Sequence, residues 1–309
     1  MSERDAQRQA GLAAALEAVA QEEPLSREHQ DSLSCLEGAD VNAFREVWKR
    51  LPAGARARVI RSLHAAAEDR LHLDYSQLNH LALEDEDAKV RLAAVQASLE
   101  DRSSRLLDHL LDMVRNDPSN VVRRAAAEDL ARFTLLGELD DLDAESTARV
   151  REALLTRVKD AEEDPAVRSS ALAALGYFSD STMAEALAGA FGEPALRLGA
   201  VRGMGRSADP RWTDRLMPVL GSEDPQMRLE AARALGEIED DRAVRPLAEL
   251  VDDPERDVRI AAIKALGEIG GEAARESLLY VLEDGDPQVR EAAEQAISNL
   301  EFYEDPLGL

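Results

Sequence analysis

Apolar and polar positions alternate with a helical period along most of the chain, and one phrase of this pattern recurs. The phrase starts with an acidic residue, usually followed by proline, and continues with an apolar residue, an arginine and an alanine-rich stretch that often ends in leucine-glycine. Its clearest copies are DPAVRSSALAALG from Asp164, EPALRLGAVRGMG from Glu193, DPQMRLEAARALG from Asp224, DPERDVRIAAIKALG from Asp253 and DPQVREAAEQAI from Asp286. Self-similarity at a fixed period predicts a repeat protein whose units stack on one another.

The arginine of the phrase gives the length of the repeat. In the five clearest copies the arginines are 29, 31, 31 and 31 residues apart, which is the length of two short helices with their turns. They are Arg168, Arg197, Arg228, Arg259 and Arg290. Weaker copies carry Arg91 and Arg123, and a copy in ARVIRSLHAAAE is assigned to Arg61. The step from Arg123 to Arg168 is 45 residues, which predicts a longer loop with an added turn near 134–147.

Each recurring residue type in the phrase has a local physical role. Aspartates such as Asp164, Asp224 and Asp286 cap free backbone amides, and the proline after each suits the first position of a helix. Apolar residues three to four apart then form one helix face, and its alanines let a neighbouring helix approach closely. The glycines that follow, Gly176, Gly205, Gly236 and Gly267, are expected to end the helix. A second amphipathic segment between the phrases, such as RAVRPLAELV, supplies a second helix per repeat.

The two-helix unit, the Asp-Pro turn and the internal arginine resemble the HEAT-repeat family over about residues 55–300, especially the short bacterial and archaeal HEAT-like repeats also found in phycobilin lyases. The resemblance implies an all-α, right-handed α-solenoid of about seven to eight repeats. It also implies that the arginines pair with acidic turn residues of adjacent repeats, as a structural ladder. Residues 1–54 are expected to form a helical cap, 55–301 the repeats and 302–309 a tail.

Composition narrows the choice of partner and compartment. With 62 acidic and 37 basic residues the net charge is -25, which disfavours nucleic acid and anionic membranes. No run approaches the roughly 20 apolar residues of a membrane span. Cys35 is the only cysteine, so the chain has no internal disulfide or cysteine-based zinc site, and a cytoplasmic location is expected.

The sequence offers no recognisable catalytic constellation. None of its five histidines is followed by glutamate, whereas HEAT-repeat hydroxylases hold di-iron on histidine-glutamate pairs. His72 and His80 are eight apart without a matching carboxylate, so we expect no metal and no cofactor. HEAT-like DNA glycosylases are a further precedent, with Trp212 and Asp214 close in sequence, but the acidic charge argues against DNA. The chain is expected not to be an enzyme; the alternative, from repeat similarity alone, is a phycobilin-lyase-like chromophore-handling enzyme.

The expected function is a protein-protein interaction scaffold or adaptor. In HEAT-type solenoids the second helices line the concave face, and the residue five positions after each ladder arginine should be exposed there. Arg202, Arg233 and Lys264 occupy this position at intervals of 31 residues, which predicts a basic stripe that grips an acidic segment of a protein partner, with Arg206 and Arg211 at one edge. The competing interpretation is that these cations balance nearby glutamates, which are Glu230, Glu237 and Glu268.

Exposed aromatic residues are a second indication of a binding surface. Trp48, Trp212, Tyr177 and Tyr280 are the candidates, although each could fill a gap between helices instead. For Tyr177, Phe178 and Tyr280 burial is expected. The oligomeric state stays open.

Overall fold

The computed structural model describes residues 3–98 and 101–304, in which every regular element is a helix. The α-helices are α1 (Glu3–Ala20), α2 (Arg27–Ser32), α3 (Ala39–Trp48), α4 (Ala53–Asp69), α5 (Ser76–Leu83), α6 (Ala88–Gln96), α7 (Ser104–Asn116), α8 (Asn120–Glu138), α9 (Ala144–Lys159), α10 (Pro165–Leu175), α11 (Ser181–Ala190), α12 (Arg197–Arg206), α13 (Thr213–Leu216), α14 (Pro225–Ile238), α15 (Val244–Glu249), α16 (Arg256–Ile269), α17 (Glu272–Val281) and α18 (Pro287–Glu304). Short 3₁₀ segments flank α13 and α15, at Pro210–Trp212, Met217–Gly221, Asp241–Ala243 and Leu250–Asp252. The predicted all-α class is confirmed.

The chain forms two compact units, residues 1–130 and 131–309. In the second unit the first helix of each repeat packs on the helix that follows it. These first helices are α9, α11, α13, α15 and α17. The second helices α10, α12, α14, α16 and α18 also pack side by side in chain order. This stacking of two-helix repeats is the packing of an α-solenoid. In the first unit α1 packs on α2 and α3, and α4 packs on α5 and α6.

Aspartate side chains start the second helices as the phrase predicts. Asp164 Oδ1 accepts a hydrogen bond from the backbone N–H of Ala166 at 2.8 Å. Asp224 and Asp286 accept equivalent bonds from Gln226 and Gln288, each at 2.9 Å. Proline has no backbone N–H, so the proline after each aspartate reduces by one the number of unpaired backbone donors at the start of the helix.

The glycines of the phrase lie where second helices touch, and most do not end a helix. Gly205, Gly236 and Gly267 are inside α12, α14 and α16. A Cβ at Gly205 would lie 2.6 Å from Cα of Ala234, and one at Gly236 would lie 2.9 Å from Cα of Ala265. The expectation that these three glycines end their helices is therefore wrong, because only the absence of a side chain lets adjacent second helices approach this closely.

The extra residues between Arg123 and Arg168 lengthen two helices. α8 continues to Glu138 and α9 starts at Ala144, so the connection is residues 139–143 and not the longer loop predicted for 134–147. Helix-favouring residues in TLLGEL extend α8, and the Asp143 side chain caps α9 by accepting from Ser146 N–H at 2.9 Å. The boundaries predicted for cap, repeats and tail stay predictions, and residues 305–309 of the tail lie outside the described residues.

Two of the four aromatic candidates for a binding surface, Trp48 and Trp212, are buried. Phe178 also lies in the core, as expected, whereas Tyr177 is half-buried and not fully buried as predicted. Tyr280 is 66% exposed, so its predicted burial is wrong. The reason is its place in the repeat: the residues 31 and 62 positions earlier are Glu249 and Pro218, which are also exposed.

We predict that Gly205→Ala lowers the free energy of unfolding by about 1–3 kcal/mol, because the new methyl group collides with the backbone of α14. Gly189→Ala is the matched control, since Gly189 is an exposed residue of α11 and a Cβ there meets nothing within 4 Å. Alanine should stabilise this position by up to about 1 kcal/mol through helix propensity. Chemical denaturation measures both, and equal effects would contradict the packing account.

Candidate functional site

An ion pair between consecutive repeats links α14 to the turn before α16. Arg228 Nε and Nη2 donate to Oδ2 and Oδ1 of Asp253 at 2.7 and 2.9 Å, and Arg228 Nη1 donates to the carbonyl oxygen of Ser222 at 2.8 Å. Asp253 Oδ1 also accepts from the N–H of Glu255 at 2.9 Å. Both charged side chains are largely buried. One aspartate thus orders its own turn and holds the arginine of the preceding repeat.

The first unit contains the same arrangement. Arg91 donates to both carboxylate oxygens of Asp117 at 2.7 and 2.8 Å, and its Nη1 donates to the carbonyl oxygen of Asp85 at 2.8 Å. Arg56 lies 3.0 Å from Asp85 and occupies the equivalent position. The assignment of the preceding copy to Arg61 is therefore wrong by five residues. The helix of that copy starts at Ala53 without the Asp-Pro signal that sets the register elsewhere.

The remaining arginines of the expected ladder differ from one another. Arg259 is 4.0 Å from Asp284 and 3.8 Å from Asp286, and Arg290 Nη1 donates to the carbonyl oxygen of Asp284 at 2.6 Å. Arg168 and Arg197 instead donate Nε to carbonyl oxygens, those of Val158 and Phe191, each at 3.0 Å. Neither makes an ion pair with a carboxylate among the described residues.

The predicted stripe lies on three adjacent second helices, within a regular surface. On each helix the residues four before and four after the cation share its side of the helix. We call this surface the second-helix face: Leu198, Arg202 and Arg206 on α12; Leu229, Arg233 and Glu237 on α14; Ile260, Lys264 and Glu268 on α16. All nine are exposed or half-buried, whereas the alanines and leucines on the other sides of these helices are buried. The face therefore has an apolar row, a basic row and a row that is mostly acidic.

Glu230 links two of the three stripe residues, as the interpretation that nearby glutamates balance these cations predicts. Its carboxylate lies 2.6 Å from Arg202 and 3.6 Å from Arg233, and it also accepts from Gln226 at 2.9 Å. Glu230 is buried, while the Arg233 side chain is 60% exposed and Lys264 is exposed. One carboxylate between two guanidinium groups positions them without neutralising both.

The acidic row has perturbed protonation. Partial burial of its carboxylate, with Glu268 and Glu230 nearby, raises the pKa of Glu237 to about 7, although part of its side chain stays exposed; Arg206 and Arg233 oppose the rise. Burial and the neighbouring Glu239 also raise the pKa of Glu268. Glu237 therefore takes up a proton as the pH falls through about 7, which makes the face less acidic.

The two arginines predicted at the edge of the stripe, Arg206 and Arg211, already contact other side chains, so they are only partly available to a partner. The Arg206 guanidinium lies 5.4 Å from the ring centroid of Tyr177, a cation–π contact. Arg211 pairs with Asp209 of its own turn. Asp214 pairs with Arg242 at 2.8 Å, while its neighbour Trp212 is buried.

A histidine pair in the first unit was missed by the sequence reasoning. His80 is buried, its Nε2 lies 3.3 Å from Asp101, and its ring lies 5.5 Å from that of His109. Burial raises the pKa of Asp101, but the hydrogen bonds from His80 and Ser103 outweigh this and lower it below the ordinary range.

In the described part of the chain, no three His, Cys, Asp or Glu side chains are grouped so that they could hold a metal ion. Within residues 3–98 and 101–304, no helix has the length and apolar character that a membrane crossing requires.

Comparison with known proteins supports the repeat assignment. A family model for HEAT repeats matches residues 192–257 and 213–298, so this part of the chain consists of HEAT repeats and the resemblance drawn from the phrase is confirmed there. No curated protein matches the sequence significantly.

Solved structures with similar folds include YibA of Escherichia coli, at 17% identity and a TM-score of 0.47, covering 90% of this chain and 97% of that one. A structure of Kap95p bound to RanGDP has 13% sequence identity and a TM-score of 0.49, and the match covers 94% of this chain and 45% of that one. Human deoxyhypusine hydroxylase has 16% sequence identity and a TM-score of 0.38, and the match covers 96% of this chain and 98% of that one. At these identities and TM-scores none of them assigns an activity or a partner.

The ladder predicts that Asp253→Asn destabilises the fold by roughly 2 kcal/mol, because Arg228 loses its charged acceptor in a largely buried site. Burial raises the pKa of Asp253, but hydrogen bonds from Arg228 and from Glu255 N–H lower it below the ordinary value. The stabilisation is therefore present above the ordinary pKa and is lost as the pH falls through the lowered one. Denaturant unfolding at neutral pH is the measurement. Asp252→Asn, at an exposed neighbour, is the control, and a similar loss in both variants would count against the ladder.

Glu237→Gln should remove a pH dependence of stability. A raised pKa means that the folded chain binds this proton more tightly, so the contribution is present below the ordinary pKa and is lost as the pH rises to about 7. The melting temperature of the unmodified chain should therefore fall relative to that of Glu237→Gln between about pH 4.5 and pH 7. Glu249→Gln, an exposed control, should follow the unmodified chain. Parallel curves for all three chains would refute the assignment.

Proposed function

We propose that this chain is a non-catalytic protein-binding scaffold whose partner lies along the second-helix face. The observation that carries the proposal is the regular placement of apolar, basic and mostly acidic rows on α12, α14 and α16. Rows in register on stacked repeats fit an extended or helical segment that crosses several repeats. A cytoplasmic location, consistent with the single cysteine Cys35, belongs to the same proposal.

The accessible cations of the stripe favour a partner with carboxylates. Glu230 holds Arg202 and leaves most of the Arg233 side chain in solvent, and Lys264 is exposed on the next helix. The chain as a whole is strongly acidic, with a net charge of -25, so an exposed basic row is a local exception. Charge complementarity at such a row adds more to the choice and orientation of a partner than to bulk affinity.

The apolar row indicates that the partner segment also has an apolar side. Leu198, Leu229 and Ile260 are half-buried beside the cations and leave apolar area for contact. An amphipathic acidic segment would place its apolar side on these residues and its carboxylates on Arg233 and Lys264. The chromophore-handling alternative remains a prediction that rests on repeat similarity alone.

Neutralising the accessible cations tests the site. Arg202 is left in place because it is the main partner of the buried Glu230. We expect Arg233→Gln with Lys264→Gln to weaken partner binding about tenfold or more, since charge-assisted hydrogen bonds are lost. Tagged protein is first used to purify a stoichiometric partner from its native lysate, and the dissociation constant is then measured with both proteins purified.

The matched control is Arg245→Gln with Arg50→Gln, which makes the same charge change at exposed cations outside the second-helix face. This variant should bind the partner as the unmodified chain does, with the same melting temperature. Equal affinity of both double variants for the partner would remove the face from the proposal.

A further inference from the structure

Arg168 and Arg197 both lack an ion pair with a carboxylate of the described residues, but only at the step of Arg197 is the acidic residue of the ladder replaced by a serine. Asp253 and Ser222 are 31 residues apart, and each lies two residues before the residue that precedes a second helix. Asp253 Oδ1 accepts from Glu255 N–H at 2.9 Å, and Ser222 Oγ accepts from Asp224 N–H at 3.2 Å. Ser222 therefore keeps the turn but supplies no carboxylate to the preceding arginine.

That preceding arginine is Arg197, which is exposed. Its Nε donates to the carbonyl oxygen of Phe191 at 3.0 Å, and its guanidinium lies 5.7 Å from the Phe191 ring centroid. Neither Nη atom has a hydrogen-bond or ion-pair partner in the described part of the chain. At the equivalent position Arg228 donates two hydrogen bonds to one carboxylate, so the repeat itself shows which ligand this position takes.

A second arginine borders the same aromatic ring. The Arg215 guanidinium lies 5.7 Å from the Phe191 ring centroid and 5.6 Å from that of Trp212. Arg215 is exposed and makes no ion pair with any described carboxylate. Cation–π contacts hold both guanidinium groups but leave their charge unneutralised. Two such arginines around one phenylalanine make a cationic cluster in a chain that is otherwise acidic.

We infer that Phe191, Arg197, Arg215 and Ser222 form a carboxylate-binding site that takes an aspartate or glutamate side chain of a partner polypeptide in place of the missing ladder acid. The carboxylate accepts from the Nη atoms of Arg197, with Arg215 adding charge. Arginine suits this contact because its planar fork matches a carboxylate. The site is separate from the second-helix face and does not depend on the function proposed for that face.

Filling the gap within the chain gives the sharpest test. Ser222→Asp should pair with Arg197 as Asp253 pairs with Arg228, so it should raise the melting temperature and compete with the ligand. The probe is a fluorescent glutamate-rich peptide, followed by anisotropy in the Arg233→Gln, Lys264→Gln background to weaken binding at the second-helix face. Ser222→Asp and Arg197→Ala should each weaken binding about tenfold.

Four controls distinguish binding at this site from a general effect of charge or of folding. Ser222→Asn keeps the turn without the charge and should bind the peptide as before, as should Arg245→Ala, at an exposed arginine. Arg197→Ala should abolish the stabilisation that Ser222→Asp gives. A glutamine version of the peptide should not bind.

The inference fails if Ser222→Asp leaves peptide affinity unchanged, or if Ser222→Asn weakens it equally. It also fails if inorganic phosphate binds more tightly than the peptide with the same dependence on Arg197, which would indicate a site for a free anion. None of these outcomes bears on the second-helix face, because its accessible cations Arg233 and Lys264 are already replaced in this background.

Discussion

Close contact between successive second helices is the constraint on which the other features depend. Glycine and alanine on facing helices leave no room for a larger side chain, as the 2.6 Å from a Cβ at Gly205 to Cα of Ala234 shows. The contact fixes the register of α12, α14 and α16, and the repeat of 31 residues then places like positions side by side. The rows of the second-helix face and the steps of the ladder both follow from this register.

The turns that precede the second helices supply the acidic partners of the largely buried arginines. Each complete ladder step joins an arginine of one repeat to an aspartate that also caps its own turn, as in Arg228 with Asp253 and Arg91 with Asp117. An arginine that has its acidic partner is stable in a partly buried site. An arginine without that partner must be exposed or bind another ligand. Arg197 is exposed, with its Nε on a carbonyl oxygen. The same repeat therefore serves as scaffold where the acid is present and as a binding site where it is absent.

The sequence predicts the helices and their starts well, because a capping aspartate followed by proline has one dominant local structure. It predicts the glycines poorly, since a glycine after leucine is equally compatible with a helix end and with a close helix contact. The assignment of Arg61 in place of Arg56 fails where the Asp-Pro signal is missing. Tyr280 is misjudged because amphipathic spacing alone does not show which side of α17 is covered.

Parts of the candidate site are visible in the sequence, and others are not. Ser222 lies 31 residues before Asp253, so aligning the repeats by their arginines shows the gap beside Arg197, whereas aligning them by Asp-Pro hides it. The bridge from Glu230 to Arg202 and Arg233 is different, because it depends on how two helices pack and on the rotamers of three side chains. The pKa of Glu237 depends in the same way on carboxylates of two different helices.

The central claim is that a protein partner lies along the second-helix face. It is tested most directly by placing a photo-crosslinking amino acid at Glu237 of that face and, in a separate chain, at Glu249 on the first helix α15, both of which are exposed. Irradiation of each complex should crosslink the partner at position 237 and not at position 249. Crosslinking at 249 alone, or equally at both positions, would contradict the account.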